Sequence, residues 1–590
     1  MVRCGLLVVL ANFLALLVAH AAAQEGVITR VSLASDGTQA NARSYNPAIS
    51  PDGRYVAFAS AASNLVPYDT NGWLDIFVRD LATGTTIRAS VDSSGNQANE
   101  TSWAPAFSPD GRFVAFTSSA SNLVANDANG HAADVFIHDL ILGTTTIVSM
   151  APDGSPGNGV SWDPMFSANG RYLAFFSTSS NLVPNDTNGK GDVFVRDLVT
   201  GLDALVSVAS DGTQGNGDSY PTGISSDGRY VLFDSDASNL VPGDTNASRD
   251  VFLRDTLAGT TTRVSVASDG SEGNYGGSIS SMSSDGRFIT FSSYSSNLVP
   301  GDSNEAWDVF VRDMVLGTTA LVSVNSAGQE GNNSSEGSSI SPDGRYVAFC
   351  SQASNLVPVP GDTNGFQDVF VRDLVNGTTT RITLGLNGEQ ANAPSCMEGP
   401  PVFGANGAMI AFDSAASNLV PGDTNWTINL FVYQIGADPG ISGKVELQDY
   451  AASQVLGTPV TIEVRLAGST TPLQTQTVLL GASGDFSFTA HVGAGVYDIT
   501  AKASHWLRQK IGSLVITTAG ASNLAFSLVN GDITGDNAVS LADFGLLKRS
   551  YGSMPGNSNW NSDADLDGNG SVGLGDFGIL KRNYSMSGDD

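Results

Sequence analysis

Cysteine is scarce in this chain: three occur in 590 residues, and only Cys350 and Cys396 lie beyond the N-terminal segment. Two cysteines cannot form a disulfide framework, and a zinc site needs more ligands than they supply. One disulfide bond in an oxidising compartment and two buried thiols are both consistent with the sequence. The pairing of the two cysteines is therefore left open by the sequence.

Basic residues are also few. The chain has 28 Lys and Arg against 58 Asp and Glu, which gives a net charge of −30. A phosphate backbone or an anionic membrane surface would be repelled, so nucleic acid is not an expected partner. The Asp- and Asn-rich composition instead suits divalent cations such as calcium.

Long apolar runs are absent after the N-terminal segment, so no transmembrane span is predicted. The N-terminus itself has Arg3, an apolar stretch over residues 5–18 and a run of three alanines before Gln24. This pattern predicts a signal peptide over residues 1–23. No cysteine lies at the cleavage point, which disfavours a lipid anchor. We expect a secreted, periplasmic or cell-surface protein.

One short motif recurs about every 58 residues and organises most of the chain. Its copies read SPDGR, SSDGR, SANGR or, in one degenerate copy, GANGA. They begin at Ser50, Ser108, Ser167, Ser225, Ser283, Ser341 and Gly404. A second motif of the type ASNLVPGDTNGxxDVFVRD recurs with the same spacing. The short apolar runs are rich in Val, Phe and Ile, which favour strands. A period of this length built from strands predicts a β-propeller.

Each repeat is predicted to contain four strands. In the first repeat they cover roughly residues 47–50, 55–60, 75–80 and 85–91, and a Pro-Asp-Gly turn joins the first two. The seventh repeat ends after its third strand, but residues 27–37 match the fourth-strand sequence of other repeats. Pairing that N-terminal strand into the last blade closes a ring of seven blades and removes both free sheet edges.

The SPDGRYVAF and DVFVRDL units resemble the propeller repeats of the TolB family over about residues 27–436. The resemblance implies a mainly β fold with a propeller domain, which we place at residues 24–436. It is specific for the fold and does not identify a function.

The long polar loops are predicted to lie together on one face of the propeller, called the loop face below. In a four-strand meander the second loop and the link between blades share a face, and loops on a rigid scaffold are where binding tends to occur. The DTNGxxD stretch places oxygen atoms at Asp69, Asn71 and Asp75. Three side chains fall short of the six to eight oxygens that calcium takes, so Asx turns are favoured over propeller metal sites.

No catalytic residue is predicted in the propeller. Of its two histidines, His138 replaces a repeated arginine and His131 lies in a widened loop. No G-x-S-x-G nucleophile elbow is present. Most carboxylates recur at repeat positions and therefore serve the blades, whereas Glu398 is an acid outside the repeat pattern.

A different β pattern begins where the repeats stop. In residues 459–468 apolar and polar side chains alternate, and Glu463 and Arg465 are predicted to point outward. About seven strands fit between residues 441 and 529, so a small β-sandwich is expected over residues 437–529. It resembles the carboxypeptidase-regulatory or transthyretin-like modules, which implies a spacer or an adhesive domain.

Two acidic loops of twelve residues near the C-terminus predict two calcium sites. Residues 532–543 read DITGDNAVSLAD and residues 565–576 read DLDGNGSVGLGD. Both have oxygen side chains at positions 1, 3, 5 and 12 and a backbone carbonyl at position 7, the spacing of a calcium loop. The predicted ligands are Asp532, Thr534, Asp536, Ala538, Asp543, Asp565, Asp567, Asn569, Ser571 and Asp576.

Each loop is predicted to lead into a helix with the same apolar stripe. The stripes comprise Leu541, Phe544, Leu547 and Tyr551, then Leu574, Phe577, Leu580 and Tyr584. Two such copies resemble a type I dockerin, over a domain placed at residues 530–590. The resemblance implies docking to a cohesin-like or cell-envelope protein. The alternative is that the helices form a stabilising cap on the sandwich.

The sequence thus predicts an exported modular protein for binding and attachment, with a ligand or protein on the loop face and calcium-dependent docking at the C-terminus. The alternative is a polysaccharide-degrading hydrolase or lyase that uses the propeller face and is targeted by the dockerin-like domain. Converging Asp, Glu or His residues outside the repeat pattern would favour the enzyme, and a ring of repeated Asn and Asp would favour binding.

Overall fold

The computed structural model describes residues 27–589, apart from residues 126, 128, 359–360, 386–387, 405–406, 436–439, 467–469, 471, 491–494 and 517–519. The predicted signal peptide lies outside the described residues. Two compact units are present, one over Gly26–Ile435 and one that contains Gly436–Asp590. No helix among the described residues has the length and apolar character needed to cross a membrane.

Four-stranded antiparallel sheets repeat along the first unit, and each is a simple meander. Sheet 1 consists of β2 (Ser44–Ile49), β3 (Tyr55–Ser60), β4 (Asp75–Asp80) and β5 (Thr86–Arg88). Sheet 2 consists of β6 (Ser102–Phe107), β7 (Phe113–Ser118), β8 (Asp134–Asp139) and β9 (Thr145–Ile147). Sheet 3 consists of β10 (Ser161–Phe166), β11 (Tyr172–Ser177), β12 (Asp192–Asp197) and β13 (Leu202–Leu205).

The same order continues through the rest of the unit. Sheet 4 consists of β14 (Ser219–Ile224), β15 (Tyr230–Ser235), β16 (Asp250–Asp255) and β17 (Thr260–Arg263). Sheet 5 consists of β18 (Gly277–Met282), β19 (Phe288–Ser293), β20 (Asp308–Asp313) and β21 (Thr318–Leu321). Sheet 6 consists of β22 (Ser335–Ile340), β23 (Tyr346–Ser351), β24 (Asp368–Asp373) and β25 (Thr378–Arg381). Sheet 7 consists of β26 (Val402–Phe403), β27 (Met409–Ser414), β28 (Asn429–Gln434) and β1 (Val27–Arg30).

The N-terminal strand completes the last sheet, as the sequence predicts. β1 pairs antiparallel with β28, with Ile28 opposite Tyr433. Sheet 7 packs against sheet 1, where Leu430 shares a core with Phe58, and against sheet 6, where Phe412 shares a core with Val369. A mainly β class with repeated four-stranded sheets is confirmed, and the arrangement is consistent with a propeller.

The arginine of the SPDGR-type motif has the same structural partner in six of the seven copies. Arg54 of the first SPDGR motif forms a bidentate ion pair with Asp80 at the end of β4, with 2.7 Å between Nη2 and Oδ2. Equivalent pairs are Arg112–Asp139, Arg171–Asp197, Arg229–Asp255, Arg287–Asp313 and Arg345–Asp373. Phe58 and Phe77 pack across β3 and β4 with ring centroids 5.9 Å apart. The repetition is therefore required by the scaffold.

The two cysteines left open by the sequence form a disulfide bond. Cys350 in β23 and Cys396 have an S–S distance of 1.95 Å and a Cα–Cα distance of 6.3 Å. The bond links sheet 6 to the segment that precedes β26, where the repeat pattern is most irregular. A covalent link there restrains the segment between sheets 6 and 7.

The second unit begins with seven strands in two sheets. They are β29 (Gly440–Leu447), β30 (Pro459–Leu466), β31 (Pro472–Leu479), β32 (Asp485–Thr489), β33 (Gly495–Lys502), β34 (Gln509–Ile516) and β35 (Ala521–Leu528). One sheet has the order β32-β29-β35, with β29 and β35 parallel, and the other has the order β31-β30-β33-β34. Trp506 is among the side chains fully buried in the shared core.

One side chain of this unit has its predicted orientation but is not exposed. Arg465, predicted to point outward, lies 2.6 Å from Glu463 on the outer face and is buried. Glu463 also accepts a hydrogen bond from Thr500 and lies 3.5 Å from Arg508. The outer face of the sheet is covered by this polar network, which the alternation of residues could not reveal.

Two α-helices follow the sandwich strands, α1 (Leu541–Ser550) and α2 (Leu574–Arg582). Leu547 and Leu580 are buried between them, together with half-buried Phe544 and Phe577. The stripe prediction is wrong at its ends, because its outermost side chains are exposed: Leu541, Tyr551, Leu574 and Tyr584. Only the middle of each short helix faces its neighbour, so the terminal positions are left at the surface.

Candidate functional site

The second acidic loop, residues 565–576, brings its carboxylates together. Ligand atoms of Asp565, Asp567 and Asp576 lie within 4.8 Å of one another, and Asp576 is completely buried. Asp576 is the third residue of α2, and its Oδ2 accepts the N–H of Gly573 at 2.7 Å. Helix formation therefore fixes the position-12 carboxylate next to the carboxylates of positions 1 and 3.

These carboxylates have no ion-pair partner among the described residues. Burial raises the pKa of Asp565, and the neighbouring charges of Asp576 and Asp567 raise it further. The backbone N–H groups of Asn569 and Gly570 only partly offset this, by donating to the two oxygens of Asp565. Such a cluster is stabilised by a bound cation.

The first acidic loop, residues 532–543, has the same backbone arrangement and a different charge balance. Asp532 is buried, and its Oδ2 accepts the N–H of Asn537 at 3.0 Å and the ammonium of Lys502 at 2.9 Å. Its Oδ1 is buried without a hydrogen-bond partner among the described residues. Asp543 accepts from Thr534 and Ser540. One buried oxygen at position 1 is therefore available to a ligand.

The turn and core positions of the two loops agree with their predicted roles. Asn537 has φ 66° and Gly570 has φ 86°, the left-handed conformation that position 6 of a calcium loop requires. Val539 and Val572, at position 8, are buried in the core shared by the two helices. Both loops are thus held in a shape suited to oxygen ligation.

The loop pair also presents matched apolar side chains to solvent. Leu541 and Leu574, both at loop position 10, are 72% and 77% exposed. Tyr551 and Tyr584, one after each helix, are also exposed. Two equivalent pairs form a candidate docking surface, because exposed apolar groups at repeated positions have no role in the core.

The same loop pair contacts the sandwich, which was the alternative role for the helices. Asn530 donates to Gln448 O at 3.2 Å, and Asn537 accepts the backbone N–H of Arg508 at 2.7 Å. Arg582 lies 2.7 Å from Asp449. Docking and capping are therefore compatible, since the contacts with the sandwich leave Leu541 and Leu574 exposed.

On the propeller, the repeated DTN stretch forms the predicted Asx turn. Asn71 Oδ1 accepts the N–H of Trp73 at 3.0 Å, and its Nδ2 donates to Asp75 Oδ2 at 2.9 Å. Asn64 of the preceding ASN motif accepts from Asn41 N and joins the loop to the link between blades. These side-chain oxygens therefore accept hydrogen bonds from other residues of the same unit.

A feature that the sequence prediction missed is an arginine that fills the acidic loop. Arg88 Nη1 lies 3.2 Å from Asp69 Oδ1 and 2.9 Å from Asp75 Oδ2. Corresponding contacts are Arg263 with Asp244 and Asp250, Arg381 with Asp362 and Asp368, and Arg30 with Asp423. The signal for it was the arginine that ends the fourth strand in these copies.

Aromatic side chains gather on two neighbouring sheets, two of them at the second position of the first strand, which is also aromatic in sheets 1 and 2. Trp162, Phe176 and Tyr220 form a stack of nearly parallel rings with centroids 4.3 Å and 5.2 Å apart. The guanidinium of Arg249 lies 4.5 Å above Tyr220 and is paired with Asp236. Flat apolar rings bordered by charged and amide groups suit a ligand with both apolar and hydroxylated surfaces.

A second aromatic group lies on sheet 5. Tyr294 directly follows β19, Trp307 directly precedes β20, and Tyr275 packs edge-on against Tyr294 with centroids 5.2 Å apart. Tyr275 is half exposed. Both groups lie at strand ends next to the long loops, so the loop face is asymmetric in its aromatic side chains.

Acids and histidines outside the repeat pattern are engaged in structural contacts. Glu398 pairs with Arg43 at 3.2 Å. Asp234 accepts from Ser280 and the N–H of Ile279, and burial raises its pKa to about 7. His138 bonds to a threonine hydroxyl, as the repeated arginines do.

No family model matches the chain, and no curated protein matches it. Among solved structures, TolB from Acinetobacter baumannii is 17% identical with a TM-score of 0.31, and the alignment covers 52% of this chain and 59% of that one. An oligogalacturonate lyase from Vibrio parahaemolyticus is 11% identical with a TM-score of 0.41, covering 70% and 92%. A type II cohesin–X–dockerin complex from Acetivibrio cellulolyticus is 19% identical with a TM-score of 0.22, covering 25% and 97%.

Proposed function

We propose that this chain is an exported binding and attachment protein. It combines a seven-bladed propeller over residues 24–436, a β-sandwich over 437–529 and a dockerin-like calcium domain over 530–590. The propeller presents its loop face to a ligand or protein, and the C-terminal domain docks to a cohesin-like or cell-envelope protein when calcium is bound.

The observation that carries the proposal is the fit of the two acidic loops to calcium. Three carboxylates converge in residues 565–576, and Asp532 Oδ1 is buried without a partner in residues 532–543. The side-chain ligands would be those at positions 1, 3, 5 and 12, with the carbonyls of Ala538 and Ser571 at position 7. Calcium would neutralise the carboxylates and hold α1 and α2 in place.

Docking is assigned to the surface formed by Leu541, Leu574, Tyr551 and Tyr584, because these side chains are apolar, exposed and equivalent in the two copies. The family to which the loops are similar commonly has Ser-Thr at positions 10 and 11. Here those positions hold Leu541-Ala542 and Leu574-Gly575, so the partner surface is expected to be more apolar.

The test measures calcium binding and docking on the full chain. Equilibrium dialysis should detect calcium sites that are lost in Asp565→Asn and Asp532→Asn. Capture of a partner from envelope extract should require calcium and should fail for Leu541→Ser/Leu574→Ser. Leu479→Ser, at another exposed leucine, is the matched control. Docking is refuted if calcium binds but capture is unchanged by chelator and by the double variant.

A second candidate function is a polysaccharide-degrading hydrolase or lyase that uses the propeller face. The aromatic stack of Trp162, Phe176 and Tyr220 favours a sugar ligand over the loop face, since pyranose rings pack their C–H faces on aromatic rings. A panel of polysaccharides incubated with the protein, with and without calcium, distinguishes the two. Release of product supports the enzyme, and retention without product supports binding.

A further inference from the structure

One position of the propeller holds a cationic side chain in some sheets and an apolar one in others. It is the residue that ends the outer strand. Through sheets 1 to 7 the residues are Arg88, Ile147, Leu205, Arg263, Leu321, Arg381 and, in β1, Arg30. Three sheets therefore lack the guanidinium that fills the acidic loop elsewhere.

In sheets 1, 4 and 6 the arginine contacts the same two oxygens, whereas in sheet 7 Asn429 replaces the second aspartate and Arg30 contacts Asp423. Arg88 contacts Asp69 Oδ1 and Asp75 Oδ2. In sheet 6, Arg381 Nη1 lies 3.2 Å from Asp362 Oδ1 and 3.5 Å from Asp368 Oδ2. The other oxygen of the buried aspartate accepts a hydroxyl, as Asp75 Oδ1 does from Ser90 at 2.6 Å. The repeat thus contains a defined cation position between two carboxylates.

In sheets 3 and 5 an asparagine amide satisfies the buried carboxylate. Asn188 Nδ2 donates to Asp192 Oδ2 at 2.8 Å, and Asn304 Nδ2 donates to Asp308 Oδ2 at 2.8 Å. The oxygen that faces the missing guanidinium therefore has a donor, although no cation is present.

Sheet 2 lacks the guanidinium, and the amide of its asparagine donates to a backbone carbonyl. Its loop is one residue longer, because Asp127 and Asp134 are seven positions apart where Asp69 and Asp75 are six. Asn129 Nδ2 donates to Gly157 O at 3.0 Å. As a result, Asp127 Oδ1, Asn129 Oδ1 and Asp134 Oδ2 are buried and have no hydrogen-bond partner among the described residues.

We propose that Asp127, Asn129 and Asp134 bind a calcium ion at the position that the Arg88 guanidinium occupies in sheet 1. The oxygens Asp127 Oδ1 and Asp134 Oδ2 are the counterparts of the two that contact Arg88, so both face the vacated position. Asn129 Oδ1 adds a third ligand, and water completes the shell. The site is independent of the C-terminal loops and of the proposed docking function.

The electrostatics of the site support a cation. Asp134 is completely buried, with only Ser149 donating to its Oδ1. Two carboxylates with buried, unpartnered oxygens and no cationic side chain paired to them among the described residues are destabilised, and a divalent ion relieves this. Carboxylate and amide oxygens without thiolates favour calcium over transition metals.

The test counts calcium ions bound by the full chain in equilibrium dialysis with radioactive calcium. Ile147→Arg returns a guanidinium to the vacated position and should bind one calcium fewer than the wild type. Asp127→Ser, at the edge of the loop, should also bind one fewer and does not depend on accommodating a larger side chain. Leu205→Arg is the matched control in sheet 3 and should leave the count unchanged.

The outcomes separate this site from the C-terminal loops, which are intact in all four proteins. If those loops bind no calcium, every count falls equally and the difference of one persists. An equal count for wild type and Asp127→Ser would overturn the proposal. Loss of one calcium ion in Leu205→Arg would also overturn it. A site that binds zinc in preference to calcium would do the same, because zinc prefers a different set of ligands.

Discussion

The acidic loops of the propeller and those of the C-terminal helices contain the same residue types and differ in what neutralises them. In sheet 1, Asp69 and Asp75 surround the guanidinium of Arg88. In residues 565–576, three carboxylates converge within 4.8 Å with no cationic side chain paired to them among the described residues. The comparison shows that a calcium-like spacing of Asp and Asn is not sufficient to identify a metal site.

What decides between the two regions is whether the chain supplies its own cation. In sheets 1, 4, 6 and 7 an arginine in the fourth strand supplies the cation. In sheets 3 and 5 an asparagine amide satisfies the buried carboxylate instead. The C-terminal loops have no such arginine, and we propose that calcium takes its place there. The loop of sheet 2 belongs to the second group although it lies in the first region.

The largest expected effect comes from removing calcium. Chelation should abolish most of the helical signal of α1 and α2, because each site contributes about 4 kcal/mol when calcium is a thousand times its dissociation constant. The propeller should unfold at nearly the same denaturant concentration as before. Circular dichroism with and without chelator measures both. If the helices persist in chelator and the C-terminal unfolding transition is unchanged, the C-terminal loops do not depend on calcium and the prediction is wrong.

Removing the arginine from an acidic loop of the propeller should also lower the free energy of unfolding. Arg88→Leu leaves two carboxylates facing each other in a buried site, and breaking such a pair costs about 4 kcal/mol. Arg54→Leu is the matched control, because its partner Asp80 lies near the surface and such pairs contribute about 1 kcal/mol. Urea unfolding of both variants gives the two values. Equal losses would show that the guanidinium of Arg88 does not serve as the cation of the loop.

Stability should depend on pH where the buried carboxylate has no cation. The folded pKa of Asp134 is about 6, above its unfolded value of about 3.9, so the folded state holds the proton more tightly between pH 4 and 6. Its contribution to stability is therefore lost as the pH rises through this window. In chelator, Asp134→Asn should nearly match the wild type at pH 4 and exceed it by about 3 kcal/mol at pH 7. A constant difference across this range would reject the assignment.

The smallest effect concerns the two C-terminal loops. The ammonium of Lys502 lies 2.9 Å from Asp532 Oδ2, so the first loop has a partial internal cation and should bind calcium more weakly than the second. In an Asp565→Asn background, Lys502→Gln should strengthen calcium binding about fivefold, or about 1 kcal/mol. Lys548→Gln, on α1, is the control. Calcium titration followed by calorimetry measures the change, and weaker binding in Lys502→Gln would contradict it.

The repeated elements could be predicted from the sequence because the copies share the same short-range sequence pattern. Strands β3 and β4 have their predicted bounds, Tyr55–Ser60 and Asp75–Asp80. The N-terminal strand β1 pairs with β28, as its similarity to the fourth strand of other repeats predicts. Alternation, turn residues and an arginine paired with an aspartate act within one repeat or between neighbours.

The remaining features depend on contacts between distant residues. The burial of Arg465 follows from Thr500 and Arg508, and the disulfide partner of Cys350 lies 46 positions away. The role of Arg88 could have been suspected, since Arg and Leu alternate at the end of the fourth strand. Its contact with the acidic loop becomes visible only when the sheet is assembled.

Anomalous diffraction from crystals of the full chain grown in calcium tests the central claim most directly, because it locates each ion. The account predicts peaks in residues 532–543, in residues 565–576 and between Asp127 and Asp134, and no peak beside Arg88. A calcium peak between Asp69 and Asp75, or empty C-terminal loops at millimolar calcium, would contradict the claim that arginine fills the acidic loop of sheet 1 and calcium fills those of the C-terminal domain.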